Sequence, residues 1–294
     1  MEWQRSRAAV PRFEFLTEAG STNDELREAA SGADAASWPH GSVIVTDNQT
    51  HGRGRLGRRW LAPTGKTLAI SLLLRPESPG GKPFPVDAYG WIPLIAGAAM
   101  TEAVRRAVEA ASALDTDRED DDDESGGIEV ELKWPNDVLV SGYKICGILS
   151  EMIPAPTDEA ATDAAAAGAV VVGAGLNLTL DEHDLPTLTS TSLLLATGRA
   201  PDADAVLADY LAGFLKLFRA LAEAGGDAAA SGVDRRVSAL CGTLGSDVRV
   251  ELPGERELLG RAERLDRDGR LIVVDRENGE PQAVAAGDVT HLRY

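Results

Sequence analysis

Lys133-Trp134-Pro135-Asn136-Asp137, followed closely by Lys144-Ile145-Cys146-Gly147-Ile148-Leu149, are the stretches on which the reading of this chain turns. Both lie beside apolar runs of strand type, 128–133, Asp137–Val140 and Tyr143–Ile153, and Ser141-Gly142 supplies a tight hairpin turn. Polar groups beside such runs need a reason, because burying one unpaired costs a few kcal/mol. A site for an anionic ligand and a metal ion gives one. Pro135 removes a backbone donor and biases Trp134 to extended backbone, so the turn should aim Asn136 and Asp137 outward. Their oxygens suit a Mg²⁺ ion shared with phosphates; the plainer alternative is an Asx turn closing a hairpin. Alternation puts Lys144, Cys146, Ile148 and Ser150 on one face, with Ile145, Gly147, Leu149 and Glu151 on the other. Lys144 then either snorkels to solvent or meets an anion, and Gly147 leaves room for a flat ligand against the strand.

Working outward, Phe13–Leu16, 42–46 and Thr67–Leu74 read as strands. Ser21-Thr22-Asn23-Asp24-Glu25 opens a helix, Thr22 and Glu25 having the spacing of a capping box and the acids suiting the positive end of the macrodipole. Helical spacing recurs over 91–108 and again over 203–222, where Val206, Leu207, Tyr210, Leu211, Phe214, Leu215 and Phe218 share a side. The apolar run 169–176 ends in Gly173-Ala174-Gly175-Leu176-Asn177, whose glycines allow a ligand or a bulge. Residues 111–127 are an acidic run without apolar anchors, expected to be solvated and disordered, and 154–168 form an Ala/Asp/Pro-rich surface loop. From about residue 237 the texture changes to short strands at 247–252, 257–265, 270–275 and 281–286, separated by Pro253-Gly254, Arg267-Asp268-Gly269 and Asn278-Gly279, which suggests a small barrel. The expectation is an α+β chain: a mixed sheet covered by helices over residues 1–236, and a small C-terminal β-barrel over 237–294.

The charge balance narrows the function. Of 294 residues, 29 are Lys or Arg and 47 Asp or Glu, a net charge of −18. A polyanion would be repelled, which argues against nonspecific nucleic-acid binding. Lysine is sparse, confined to Lys66, Lys82, Lys133, Lys144 and Lys216, and a carboxylate-rich, lysine-poor surface points to a salt-rich, halophilic cytoplasm where repulsion is screened. The two cysteines, Cys146 and Cys241, make neither a disulfide framework nor a zinc site. No apolar leader opens the chain and no run is long enough to span a bilayer, so a cytoplasmic protein without membrane partners is expected.

Against that acidic background, Gly52-Arg53-Gly54-Arg55-Leu56-Gly57-Arg58-Arg59-Trp60 gathers four arginines. Forked guanidinium donors match phosphate oxygens, and glycines let the backbone approach a ligand, so the loop should close over an anion. Arginine–glycine loops also bind RNA or simply solvate. His51 beside it reads as incidental.

In this order the pieces resemble biotin protein ligases: Ser21-Thr22-Asn23, Gln49 with Gly52-Arg53-Gly54-Arg55 and Trp60, Lys133-Trp134-Pro135-Asn136-Asp137, Lys144 with Gly147-Ile148-Leu149, and Gly173-Ala174-Gly175-Leu176-Asn177. The resemblance implies a class II synthetase-like catalytic domain with a small SH3-like barrel. It implies a two-step reaction in which biotin and ATP give biotinyl-5′-AMP, and a lysine of the biotin carboxyl carrier domain of an acyl-CoA carboxylase then takes the biotinyl group. It implies catalytic roles for Lys144, Arg53 and Asp137. Biotin would be held by Ser21, Thr22, Asn23, Gln49, Gly52, Arg53, Gly54, Arg55, Lys144, Gly147, Ile148 and Gly175. ATP and the adenylate would be held by Arg53, Arg55, Arg58, Trp60, Lys133, Asn136, Lys144 and Asn177, with Asn136 and Asp137 serving Mg²⁺. Members of the family often pair through sheet edges, so a homodimer fits. Residues 1–12 are too short for the DNA-binding domain of the bifunctional members, so a ligase without repressor activity is expected. The alternatives are a lipoate–protein ligase on a related fold, a non-catalytic biotin-responsive regulator, and an RNA-binding module, the last opposed by total charge.

Overall fold

The computed structural model describes residues 2–60, 62–114, 127–154, 168–252, 254, 256–285 and 287–292. In chain order its main elements are α1 (Gln4–Ala9), β1 (Phe13–Leu16), α2 (Thr22–Ser31), β2 (Val43–Thr46), β3 (Thr67–Leu74), α3 (Trp91–Ala113), β4 (Val130–Lys133), β5 (Asp137–Val140), β6 (Tyr143–Ile153) and β7 (Ala169–Asn177). There follow α4 (Leu193–Thr197), α5 (Ala203–Glu223), α6 (Ala228–Ser231), α7 (Val233–Leu240), and the strands β8 (Asp247–Leu252), β9 (Arg256–Leu265), β10 (Leu271–Asp275), β11 (Pro281–Val284) and β12 (Asp288–His291).

The first seven strands form one sheet in the order β1-β2-β3-β7-β6-β5-β4. β1 and β2 run parallel and every other neighbouring pair is antiparallel, so the sheet is mixed. The side-chain period of two divides it into two faces. On the back, Val43, Val45, Ile70, Leu72, Val170, Val172 and Ile148 join one core with α3 and α5. α5 contributes Val206, Leu207, Tyr210, Leu211, Phe214 and Phe218, all buried; each such side chain is worth about 1.5–3 kcal/mol relative to exposure. α3 lies close because Gly97 has no side chain: a Cβ there would come within 2.4 Å of Leu132 Cδ1. On the front, α2 covers part of the sheet through Leu26 and Ala30 against Ile44, Leu73 and Val171. The rest of the front is open.

The last five strands form an antiparallel sheet in the order β11-β10-β9-β8-β12. This is the small C-terminal unit expected as a barrel, seen as a five-stranded sheet with the additional strand β12. It is tied to the larger unit by two tryptophans, Trp91 at the start of α3 and Trp134 in the β4–β5 turn. Trp91 Nε1 donates to Arg267 O (2.8 Å) and Trp134 Nε1 to Gly269 O (3.2 Å), so both grip the β9–β10 turn. Thr243 Oγ1 accepts the Trp134 backbone N–H at 3.0 Å. The turn between β4 and β5, with its cis Trp134–Pro135 peptide, is therefore clamped from behind.

Several expectations need correction. α3 continues to Ala113, so 111–113 are helical and not part of a solvated run. The remainder of the acidic run, 115–126, and most of the 154–168 loop, 155–167, lie outside the described residues. The boundary expected at 236/237 falls inside α7; the chain passes to the second sheet after Leu240. The capping box does not form. Ser21 is the N-cap without a side-chain cap bond, and the Thr22 N–H is satisfied instead by Gln49 Oε1 at 2.8 Å, a residue far along the chain. Cys146 and Cys241 are free and buried, and burial pushes the Cys146 thiol up to about 12, so it is an inert core group. No described helix is long and apolar enough to cross a membrane.

Candidate active site

The open part of the front face is a cavity of about 840 Å³. It lies among the N-terminus of α2, the arginine loop, the β4–β5 turn, β6, β7, the segment 186–190 and β12. Four glycines make room for the side chains that furnish it. A Cβ at Gly173 would come within 2.5 Å of Asn23 Oδ1, one at Gly175 within 2.7 Å of Trp60 Cε2, and one at Gly147 within 3.0 Å of Lys144 Nζ. A Cβ at Gly52 would come within 2.4 Å of Gln49 Nε2.

Lys144 reaches this face through a bulge. Lys144 opposes Leu139 and Cys146 opposes Val138, so Ile145 is an extra residue in β6. The bulge breaks the alternation expected from sequence: Ile145 and Cys146 both enter the back core, and Lys144 shares the face of Gly147. Outside the bulge its peptide is held by another segment, Lys144 N donating to Thr189 O (2.8 Å) and Lys144 O accepting from Thr191 N (2.9 Å). Asn177 Nδ2 in turn binds Thr191 O at 2.9 Å. At the tip, Lys144 Nζ lies 2.6 Å from Asp137 Oδ1. Lys133 stands nearby, and burial holds its ammonium below the usual lysine range while Asp137 opposes that shift. The cavity's hairpin end thus gathers the ammonium groups of Lys133 and Lys144, with Asp137 between them and Asp288 also acting on Lys133.

The opposite end is neutral and rich in hydrogen-bonding groups. Gln49 Oε1 accepts from the Thr22 hydroxyl (3.1 Å) as well as its N–H, and Ser71 Oγ lies 2.8 Å from Thr22 Oγ1 and 2.6 Å from Asn23 Oδ1. Ser21 completes this wall. Between the ends, Ala69, Leu149 and Gly175 lie on the cavity face of the strands, with the Trp60 ring against Gly175. Ile148, expected on the floor, has its side chain in the back core; Leu149 is the front-facing neighbour.

The arginine loop is tied down at both ends. Arg53 forks onto Asp24, with Nη2 2.7 Å from Oδ1, and lies 3.3 Å from Glu151. Arg55 Nη1 donates to Asn136 Oδ1 (2.7 Å) and Nη2 to Gly287 O (3.2 Å). Arg58 pairs with Asp288 of β12. Leu56 turns the loop with left-handed backbone (φ 56°). The two arginines expected to act together therefore point to different walls, Arg53 toward α2 and Arg55 over the β4–β5 turn.

Asn136 is a bracket in this structure. Besides accepting from Arg55, it donates from Nδ2 to Ile148 O (2.7 Å), and Ile148 N returns to Asn136 O (2.9 Å). With Asn136 Oδ1 facing a guanidinium and Asp137 Oδ1 facing an ammonium, the pair does not fit a resident Mg²⁺ site. Among the described residues no group of three or more His, Cys, Asp or Glu could hold a metal.

Every residue named from the sequence as a site residue lines the cavity except Gly52, which supports Gln49 from below. His51 stays outside, its Nδ1 3.0 Å from Thr50 Oγ1. Sequence reading missed Tyr143, the segment 186–190, and Asp288, Thr290 and His291 of β12. The uncharged, hydroxyl-rich run from Thr187 to Ser192 was a signal, since charge is otherwise dense in this chain. β12 gave almost none: it is four residues long with one buried side chain, Val289.

The sequence pattern of the Biotin/lipoate A/B protein ligase family matches residues 21–164, and that of the Biotin protein ligase C terminal domain matches 243–292. A biotin–[acetyl-CoA-carboxylase] ligase of Mycobacterium tuberculosis is 35% identical over 283 residues, 96% of this chain and 90% of that protein. The bifunctional ligase/repressor BirA of Bacillus subtilis is 31% identical over 184 residues, 62% of this chain and 47% of that protein. The fold is that of a biotin protein ligase from Aquifex aeolicus solved with biotin and ATP, with a TM-score of 0.67 at 24% identity, covering 97% of this chain and all of that one. A cavity furnished from both sheets, and a relative of this identity along nearly the whole length, establish that the chain belongs to the biotin protein ligase family.

Proposed function

We propose that the protein activates biotin with ATP as biotinyl-5′-AMP and transfers the biotinyl group to a lysine of a biotin carboxyl carrier domain. The observation that carries this is the bulged Lys144, whose ammonium stands at the ammonium-rich end of the cavity, opposite its neutral hydrogen-bonding end. Two anions must meet there, a carboxylate and a triphosphate. Fixed positive charge in a partly dry cleft lowers the barrier to that encounter.

The neutral wall of Ser21, Thr22, Asn23 and Gln49 takes the uncharged polar head of the vitamin, and the apolar strip beside Trp60 takes its ring and chain. The vitamin's carboxylate then reaches Lys144. A carboxylate oxygen attacks the α-phosphorus and pyrophosphate leaves, with Lys133, Lys144 and Arg55 balancing the charge. In the second step an acceptor lysine attacks the acyl carbon, AMP leaves, and Asp137 takes the amine's proton. The arginine loop, lying across the cavity, keeps water from the anhydride.

Mass spectrometry of a carrier domain incubated with biotin, ATP and the protein tests this reading; an unmodified acceptor lysine overturns it. Titration calorimetry with biotin and lipoate separates the related ligase, since the neutral wall suits a head group with hydrogen-bonding atoms. A non-catalytic regulator is disfavoured by the paired Lys144 and Asp137. We further propose a C-terminal unit beginning after α7, a cytoplasmic location, a homodimer and adaptation to high salt. The net charge of −18 supports the last. The protein should melt higher in multimolar than in dilute KCl, and an unchanged melting temperature removes that part of the proposal.

A further inference from the structure

At the edge of the cavity, beside its neutral end, two carboxylates and two guanidiniums close into a ring. Asp24 in the first turn of α2 receives Arg53 from the loop and Arg27 from its own helix, the latter at 2.5 Å. Glu151 on β6 receives Arg27 at 3.0 Å and Arg53 at 3.3 Å. The four charges cancel, and each arginine bridges both acids. Arg53 holds the Asp24 carboxyl below the usual aspartate range, as expected for a forked ion pair.

Glu151 has a second task. Its Oε2 accepts from Asn23 Nδ2 at 2.6 Å, and Leu149 O accepts from the same nitrogen at 3.3 Å. Ser71 Oγ occupies Asn23 Oδ1. An amide between a carboxylate and a hydroxyl has one orientation, because turning it over would set its oxygen against Glu151. Gly173 leaves the room in which that amide sits.

We propose that Glu151 is a positioning residue for the vitamin end of the cavity: it fixes the Asn23 amide and, through the ring with Asp24 and Arg27, pins Arg53 and with it the stem of the arginine loop. This rests on the reading that the Ser21–Asn23 and Gln49 wall receives biotin. Replacing Glu151 by Gln keeps one acceptor but turns an amino group toward two guanidiniums. The ring and the Asn23 contact cannot both survive that change.

The test compares the wild type, Glu151→Gln and Asp24→Asn by biotin calorimetry, by KM for biotin and for ATP in pyrophosphate release, and by melting temperature. Glu151→Gln should weaken biotin about tenfold or more. Asp24→Asn, which breaks the ring and leaves the Asn23 contact, should weaken it less. KM for ATP should hold within about twofold in both, because the ammonium-rich end is untouched. Unchanged biotin affinity in a folded Glu151→Gln protein overturns the proposal, as does an equal rise in both KM values. If Glu151→Gln does not fold, an unchanged biotin affinity in Asp24→Asn overturns it. A wild type that binds no biotin at all instead sinks the proposed function beneath it.

Discussion

Along β7, Val170, Val172, Ala174 and Leu176 face the helices, while Val171, Gly173, Gly175 and Asn177 face α2 and the cavity. β6 repeats the contrast, with Ile148 behind and Gly147, Leu149 and Glu151 in front. The same backbone thus carries two surfaces of different make. The back is filled to the density of a core, where any change of volume is felt as stability. The front is emptied by glycines so that side chains from other elements can lie on it. Substitutions on the two faces should therefore fail in different ways, and that is the sharpest way to test the division.

The largest effect belongs to Lys144→Ala. Adenylate formation should fall by about 10³-fold, from loss of the charge at the meeting point of two anions, with the melting temperature nearly unchanged. Its partner across the sheet is Leu72→Ala, which should cost about 2–5 kcal/mol of stability and leave kcat close to normal below the melting range. A Lys144→Ala protein that melts as early as Leu72→Ala would show that the lysine is a structural member, and the division would be lost.

Two glycines make the next pair. At Gly175 a Cβ would press on Trp60 at 2.7 Å, displacing the ring over the cavity, and KM for the small substrates should rise about 10–100-fold. At Gly97 of α3 a Cβ would press on Leu132 Cδ1 at 2.4 Å; overpacking there should cost about 1–3 kcal/mol and leave KM alone. Kinetics beside a urea melt distinguishes the two outcomes.

Much of this was legible beforehand, and the parts that were not have a common cause. Strands Phe13–Leu16, Thr67–Leu74, Asp137–Val140 and Tyr143–Ile153 stand where the apolar pattern placed them, because their register is fixed by which face is buried. The arginine loop and the β4–β5 turn were visible as charge and proline in unexpected places. What alternation could not supply was the bulge at Ile145, which depends on a partner strand and on the 189–191 segment. Nor could it supply Gln49 as the acceptor of the Thr22 N–H, or Asp288 as the partner of Arg58, since both are contacts between distant parts of the chain. The tertiary structure decided the aim of the polar groups; their presence was already written in the residues.

The division of the arginine loop between two walls gives a subtler pair. Arg55 lies over Asn136 at the ammonium-rich end, so Arg55→Ala should form the adenylate and release it to solvent, read as pyrophosphate production in excess of acceptor modification. Arg53 is tied to Asp24 and Glu151, so Arg53→Ala should weaken biotin binding with less leakage. Equal leakage from both variants would mean that the loop closes as a single body, and the two-wall description would give way.

The smallest effect is on stability against pH, and it concerns the front alone. In the folded chain Arg53 and Arg27 lower the Asp24 pKa below its ordinary 3.8. A carboxylate with a depressed folded pKa stabilises the fold fully above its unfolded value, and that contribution fades as pH falls through the folded one. Acid melts of the wild type should therefore lose stability below about pH 4 more steeply than melts of Asp24→Asn, the two curves converging at the acid end. The pair is partly exposed, so the difference is small and shrinks as KCl is added. Leu72→Ala, set in the apolar back core, should lower the whole curve without changing its slope in acid. If Asp24→Asn instead lowers stability equally at every pH, its carboxylate is held by packing rather than by charge, and the front wall is more like the core than the ring of arginines suggests.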